Sequence, residues 1–89
     1  METTEYTGYI EQIEFVKQSG KFDKIEVTLK MPDRQCCFIE FRSRKMMKEI
    51  KEFNEGDRVT IATRIEGKIS GNSGKKYNNI IATNINLNN

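Results

Sequence analysis

Histidine and tryptophan are both absent from this chain of 89 residues. Without histidine there is no Ser-His or Cys-His nucleophile pair, no commonest general base and few routes to a transition-metal site. The carboxylates that remain form no concentrated pair in an apolar setting, so an enzyme is the least expected class. Cysteine occurs twice, as the neighbours Cys36 and Cys37. Adjacent residues on a strand point to opposite faces, so a bond between them would be badly strained. Two thiols also fall short of the four ligands of structural zinc. The pair is expected to serve as small apolar residues, and no metal or cofactor is expected. No apolar run approaches the roughly 18 residues that span a bilayer, so no membrane partner is expected. The start, Met1-Glu2-Thr3-Thr4-Glu5, is acidic and polar, unlike a secretory signal, and the expected location is the cytoplasm.

What is present suits one small domain, residues 1–89. Hydrophobic residues make up 36% and charged residues 31%, which is globular composition. A domain of this size buries only about 60% of its unfolded surface, so each apolar position matters. The net charge is +2. That is too small to announce a nucleic-acid partner, and the distribution of charge has to decide.

Alternation organises most of the chain. A first strand is expected from about Tyr6 to Lys17. Gly8 and Ile10 share one parity and Ile13 and Phe15 the other, which predicts a bulge near Glu11-Gln12 that exchanges the faces. Gln18-Ser19-Gly20-Lys21 reads as a turn. In strand two, Ile25, Val27 and Leu29 alternate with Lys24, Glu26, Thr28 and Lys30. Met31-Pro32-Asp33 ends it, because proline cannot donate to a ladder. Strand three, Arg34 to Arg42, turns Cys37, Ile39 and Phe41 inward and Cys36, Phe38, Glu40 and Arg42 outward. Ser43 caps a helix expected through about Phe53, with Met46, Met47, Ile50 and Phe53 on its apolar face and Lys48, Glu49, Lys51 and Glu52 opposite. Asn54-Glu55-Gly56-Asp57 stops it. Strand four places Val59, Ile61, Thr63 and Ile65 inward and Thr60, Ala62, Arg64 and Glu66 outward. Strand five, from about Lys76 to Leu87, carries Ile81, Ile85 and Leu87 on one face.

Five strands with one short helix between strands three and four predict an all-β fold, a five-stranded OB-fold Greek-key barrel; an SH3-like barrel is the competing architecture. In an OB-fold the strand 2–3 face and the loops joining strands 1–2 and 4–5 form the oligonucleotide surface. Here those loops contain Ser19-Gly20-Lys21-Phe22 and Ser73-Gly74-Lys75-Lys76-Tyr77. Each joins a flexible Ser-Gly to lysine and then an aromatic ring. Lysine attracts phosphate without reading sequence, and aromatic rings stack on unpaired bases. The candidate nucleic-acid-binding residues are therefore Lys21, Phe22, Lys24, Phe38, Arg42, Arg64, Lys68, Lys75, Lys76 and Tyr77. Phe38 is outward and free to stack; Phe22 and Tyr77 suit either stacking or packing on the barrel edge. A phosphate-binding P-loop is excluded: counting back five from Gly74 reaches Ile69 rather than glycine, Lys75 precedes Lys76 rather than Ser or Thr, and no helix follows.

From Tyr6 to Leu87 the chain resembles the OB domain of bacterial and phage-type single-stranded DNA-binding proteins. The resemblance rests on the helix, the Asn-Glu-Gly-Asp turn with Arg58-Val59, and the strand that runs into "SGNSGKKY". It implies stacking on Phe38 and Tyr77, phosphate contacts by Lys68, Lys75 and Lys76, assembly as a dimer or tetramer, and work in DNA replication or repair. Three features depart from the family. There is no tryptophan, Ile69 stands where an aromatic is expected, and the glycine-rich linker with its acidic tip does not follow Asn89. The expected function is sequence-independent binding of single-stranded DNA, with RNA open as a partner because neither stacking nor phosphate contact reads the sugar. The alternative is an OB-fold protein-interaction or assembly module. Glu26, Glu40 and Glu66, outward on the same faces, favour it because they would repel phosphate.

Overall fold

The structure, a computed structural model, describes residues 3–17 and 23–88. Its elements are β1 (Thr4–Val16), β2 (Lys24–Lys30), β3 (Cys36–Phe41), α1 (Arg44–Ile50), β4 (Arg58–Ile69) and β5 (Lys76–Leu87). The strands close into a barrel in the order β1-β2-β3-β5-β4. All neighbours run antiparallel except β3 and β5, which meet in parallel at Glu40 and Ile81. This is the OB-fold, with the helix between β3 and β4.

One long strand serves two partners because it bends. Thr4 to Tyr9 pair with β4, while Tyr9 to Val16 pair mainly with β2. The pairing with β2 slips between Ile10 and Gln12, leaving Glu11 as the extra residue of a bulge, where the parity switch predicts it. The bend is held from outside the sheet. Ile10 N–H donates to the Asp57 carbonyl at 2.9 Å, and its carbonyl accepts from Gly56 N–H at 2.7 Å. Gly56 can present that N–H because it adopts φ +96°, the left-handed region glycine tolerates. Gly8 lies where β1 crosses closest to β2; a methyl there would overlap the Lys30 carbonyl.

The interior is filled from every element. Ile10, Ile25, Val27, Leu29, Ile39, Phe41, Val59 and Ile61 are buried, and Met46 and Ile50 of α1 close one end. Ser43 caps the helix by accepting from Met46 N–H at 3.1 Å. The helix is shorter than expected. It ends at Ile50, and Glu52 and Phe53 donate three residues back, to Glu49 and Ile50, so the last turn tightens. Strand three is also shorter, since Met31 and Gln35 close a turn in which Arg34 takes φ 68°. Cys37 is buried and Cys36 exposed.

Two expectations about faces fail, both in β4 and β5. Ile65 does not face the core; it is 61% exposed. Past Arg64, β4 has only β5 beside it among the described residues, and the two continue as a ribbon from the Ile65–Ile80 pair to the Ile69–Lys76 pair. Ile80, the partner of Ile65, still packs against the edge of the core, but inward parity alone does not bury Ile65. Nor do Ile81, Ile85 and Leu87 share a face. The β4–β5 register slips between Ala62 and Thr63, leaving Thr83 extra, so Ile81 falls on the opposite side from Ile85 and Leu87. Ile81 is buried, but outside the interior cluster, between Glu40 on β3 and Arg64 on β4.

Candidate nucleic-acid interface

Strand alternation decides which side chains reach the outer face. On β2 and β3, the rows Lys30–Cys36, Thr28–Phe38 and Glu26–Glu40 point away from the core. The row continues into β5 through Glu40–Ile81 and into β4 through Arg64–Ile81. Counting by two along the ribbon, Glu66 opposite Asn79 and Lys68 opposite Tyr77 lie on that same face. Phe38 is 59% exposed and Tyr77 49%. Both rings are thus open to solvent on one continuous outer face, and Tyr77 does not fold back onto the barrel.

The same face carries a connected set of charges. Glu40 Oε1 accepts from Lys24 Nζ at 3.0 Å and from Arg42 Nε at 2.9 Å. Arg42 also reaches across to the ribbon, where its Nη1 donates to Glu66 Oε1 at 3.1 Å. Glu66 is completed by Arg64 Nη1 on Oε2 at 3.0 Å and Lys68 Nζ on Oε1 at 3.2 Å. Hydrogen bonds from Arg64 and then Lys68 hold the Glu66 carboxyl down at about 2; desolvation opposes them, and the nearby charges of Lys68 and Arg42 add to them. Four of the expected cations are therefore gathered by two carboxylates on three strands and carry a surplus of positive charge. The acids expected to repel phosphate behave differently from one another: Glu40 and Glu66 are neutralised by these pairs, whereas Glu26 has no cationic partner among the described residues.

The remaining candidates scatter. Lys75 sits at the exposed ribbon tip, where Gly74 N–H donates to the Ser70 carbonyl at 2.9 Å and Ser70 N–H to the Lys75 carbonyl at 2.8 Å. Gly74 there takes φ 70°. Lys76 pairs with Ile69, so it lies on the reverse of the ribbon from Lys68 and Tyr77. Lys21 and Phe22 lie outside the described residues.

One ring was passed over. Tyr9 is 55% exposed and pairs with Lys30 on one side and Arg58 on the other. The signal was in the sequence: with Gly8 and Ile10 inward, Tyr9 must face outward. It lies on the outer face of β1, two strands from Phe38, a lateral separation of about 10 Å.

Comparison with known proteins supplies structures and no sequences. No protein-family model matches the chain, and no curated protein does. Among solved structures it is similar to the mitochondrial single-stranded DNA-binding protein Rim1 of S. cerevisiae. One crystal form superposes with a TM-score of 0.73 at 12% identity, covering 97% of this chain and 94% of that one. A second form gives 0.68 at 15% identity, covering 96% and 90%. At such identities the likeness establishes that the two chains share a barrel of the same fold over nearly their whole length.

Proposed function

We propose that this protein binds single-stranded DNA, largely without regard to sequence, along the outer face that runs from β2 and β3 onto the β4–β5 ribbon. The observation that carries the reading is the joint exposure of Phe38 and Tyr77 on one outer face that also carries Lys24, Arg42, Arg64 and Lys68. Bases stack on the rings, and phosphates run over the cations. Lys75 extends the charge to the tip, and Tyr9 offers a further platform. The barrel supports this as a fold shared with a protein that binds single-stranded DNA. Chemistry is not part of the reading: the protein is a binding protein, not an enzyme. Assembly as a homodimer or homotetramer belongs to it as well, on the resemblance of the sequence. A role in replication or repair rests on the same resemblance.

Fluorescence polarisation with labelled oligo-dT across a salt series tests the proposal. Four neutralised phosphates give a slope of log affinity against log salt of about −3 for a single strand. Lys75→Glu weakens binding relative to the wild type, and the deficit grows as salt falls. Absence of binding at low salt, or binding indifferent to salt, sinks the reading. Competition by oligo-U separates a DNA partner from an RNA one.

A further inference from the structure

A second basic surface lies away from Phe38 and Tyr77. Between α1 and the β5 strand runs an open groove of about 760 Å³, lined by Arg42, Arg44, Lys45 and Arg64 over an apolar floor that includes Met46 and Ile81. It shares Asp23, Arg44 and Met47 with a smaller groove of about 230 Å³, which continues past Lys48 and Lys51 to Phe15. The two make one channel around the helix end of the barrel.

Helical geometry explains why its wall is basic. Arg44, Lys48 and Lys51 are spaced i, i+4, i+7, so they stand in one stripe beside the apolar stripe of Met46, Met47 and Ile50. All three are exposed, and none has a carboxylate partner among the described residues. Lys45 makes a loose contact of 3.9 Å with Glu49, and Asp23 is the one acid in the lining. At the far end Phe15 is 58% exposed, although its cross-strand partner Ile25 is buried. At the near end the channel begins at Arg42 and Arg64, the two arginines that also hold Glu66 on the proposed binding face. The groove is therefore continuous with that face through shared side chains.

We infer that a bound single strand does not end at the β3–β5 seam but turns over Arg42 and Arg64 into this groove. Its phosphates then run along Arg44, Lys48 and Lys51 toward a base stacked on Phe15. Charge complementarity selects a polyanion, and continuity with the first face selects the same strand over a separate ligand. The inference rests on the proposed function and extends its footprint.

The test compares oligo-dT of graded length on the wild type, on the triple variant Arg44→Gln, Lys48→Gln, Lys51→Gln, and on Phe15→Ala, each checked for an unchanged melting temperature. Short oligomers that fill only the Phe38–Tyr77 face bind all three proteins alike. Oligomers long enough to enter the groove lose about tenfold or more with the triple variant, and the salt slope shrinks by about 2, as expected for three lost phosphate contacts. Phe15→Ala costs long oligomers about fivefold, the low end for one stacked base. Equal behaviour of variant and wild type at every length overturns the inference while leaving the proposed function intact. So does an equal loss at every length, which assigns the helix charges to long-range attraction. Displacement of long oligo-dT by polyglutamate on the wild type but not on the triple variant would assign the groove to an acidic protein partner, and also overturns it. If the wild type binds no oligomer, the proposed function itself has failed.

Discussion

Two of the barrel's five strands, β4 and β5, run on to make the ribbon with the same alternating pattern, yet the two regions obey different physics. Ile61 and Ile69 both belong to β4, and both carry the inward parity of an alternating strand. Ile61 is fully buried, while Ile69 is 71% exposed. The difference lies in what stands opposite. At Ile61 the strand has β1 on one side and β5 on the other, and the closed sheet brings an interior against it. At Ile69 only β5 is paired, and among the described residues no layer covers the side chain. Alternation tells which side chains share a face; burial needs a second surface. Two 12-residue strands account for the long dimension of a molecule measuring 44 × 26 × 25 Å. The barrel is where stability resides, and the ribbon is backbone hydrogen bonding extended into solvent to carry Lys68, Lys75 and Tyr77.

The most direct way to break that comparison is to truncate the same residue type in both regions. Ile61→Ala leaves a cavity in the interior and costs about 2–5 kcal/mol. For a domain of this size that lowers the melting temperature by roughly 10 °C or more. Ile69→Ala removes a side chain already in water and stays within about 0.5 kcal/mol. Thermal melts of the two variants side by side decide the matter. Similar losses from both would mean that the ribbon is packed against something, such as a second copy of the chain.

A second comparison stays within the ribbon and asks about its two faces. Tyr77→Ala lies on the face with Lys68, Ile69→Ala on the reverse. Loss of one stacked base is worth about 1–3 kcal/mol, so Tyr77→Ala weakens oligo-dT binding roughly 5- to 150-fold without moving the melting temperature. Ile69→Ala leaves binding unchanged. Binding lost equally through both faces would place the strand elsewhere than the Phe38–Tyr77 side.

The contrast also marks what could be read in advance. The barrel was legible wherever apolar parity and the actual layers agree: Ile25, Val27 and Leu29 in β2, the parity switch that forces a bulge at Glu11, and Ser43 before Met46 and Ile50 in α1. Phe38 was legible for the same reason, as a large ring on the wrong parity for the core. The ribbon was not, because Ile65 prolongs the Ile61–Thr63 alternation beyond the point where β1 has ended. The bulge at Thr83 was hidden as well. Ile81, Ile85 and Leu87 all have odd numbers, and grouping them conceals the switch from Ile80 and Ala82 inward before the slip to Ile85 inward after it. The ion network was out of reach for a further reason. Glu40, Arg42 and Glu66 come together only because β3, β5 and β4 are neighbours in the closed barrel, an order their sequence spacing does not express.

That network is also the tie between the two regions, and pH can loosen it. Arg42 belongs to the end of β3, while Glu66 belongs to the ribbon, so their bond at 3.1 Å crosses from one to the other. Glu66 titrates near 2 in the folded protein, below its ordinary value of 4.5. A carboxyl whose folded value is depressed stabilises the fold fully above the unfolded value, and the contribution is lost as pH falls through the folded one. The window is therefore from about 4.5 down to about 2, and the side chain's exposure to solvent keeps the effect on stability small. Carbon-detected NMR titration of the Glu66 carboxyl checks the value directly. Arg64→Ala and Lys68→Ala each move the midpoint upward, because each removes one of the hydrogen bonds that hold it down. In the same window amide exchange in the ribbon should quicken before exchange in β1 and β2, since the barrel keeps its interior after the tie is protonated. A Glu66 midpoint at the ordinary carboxylate value would show that the three cations are not gathered around it, and with that the charged bridge between barrel and ribbon would go.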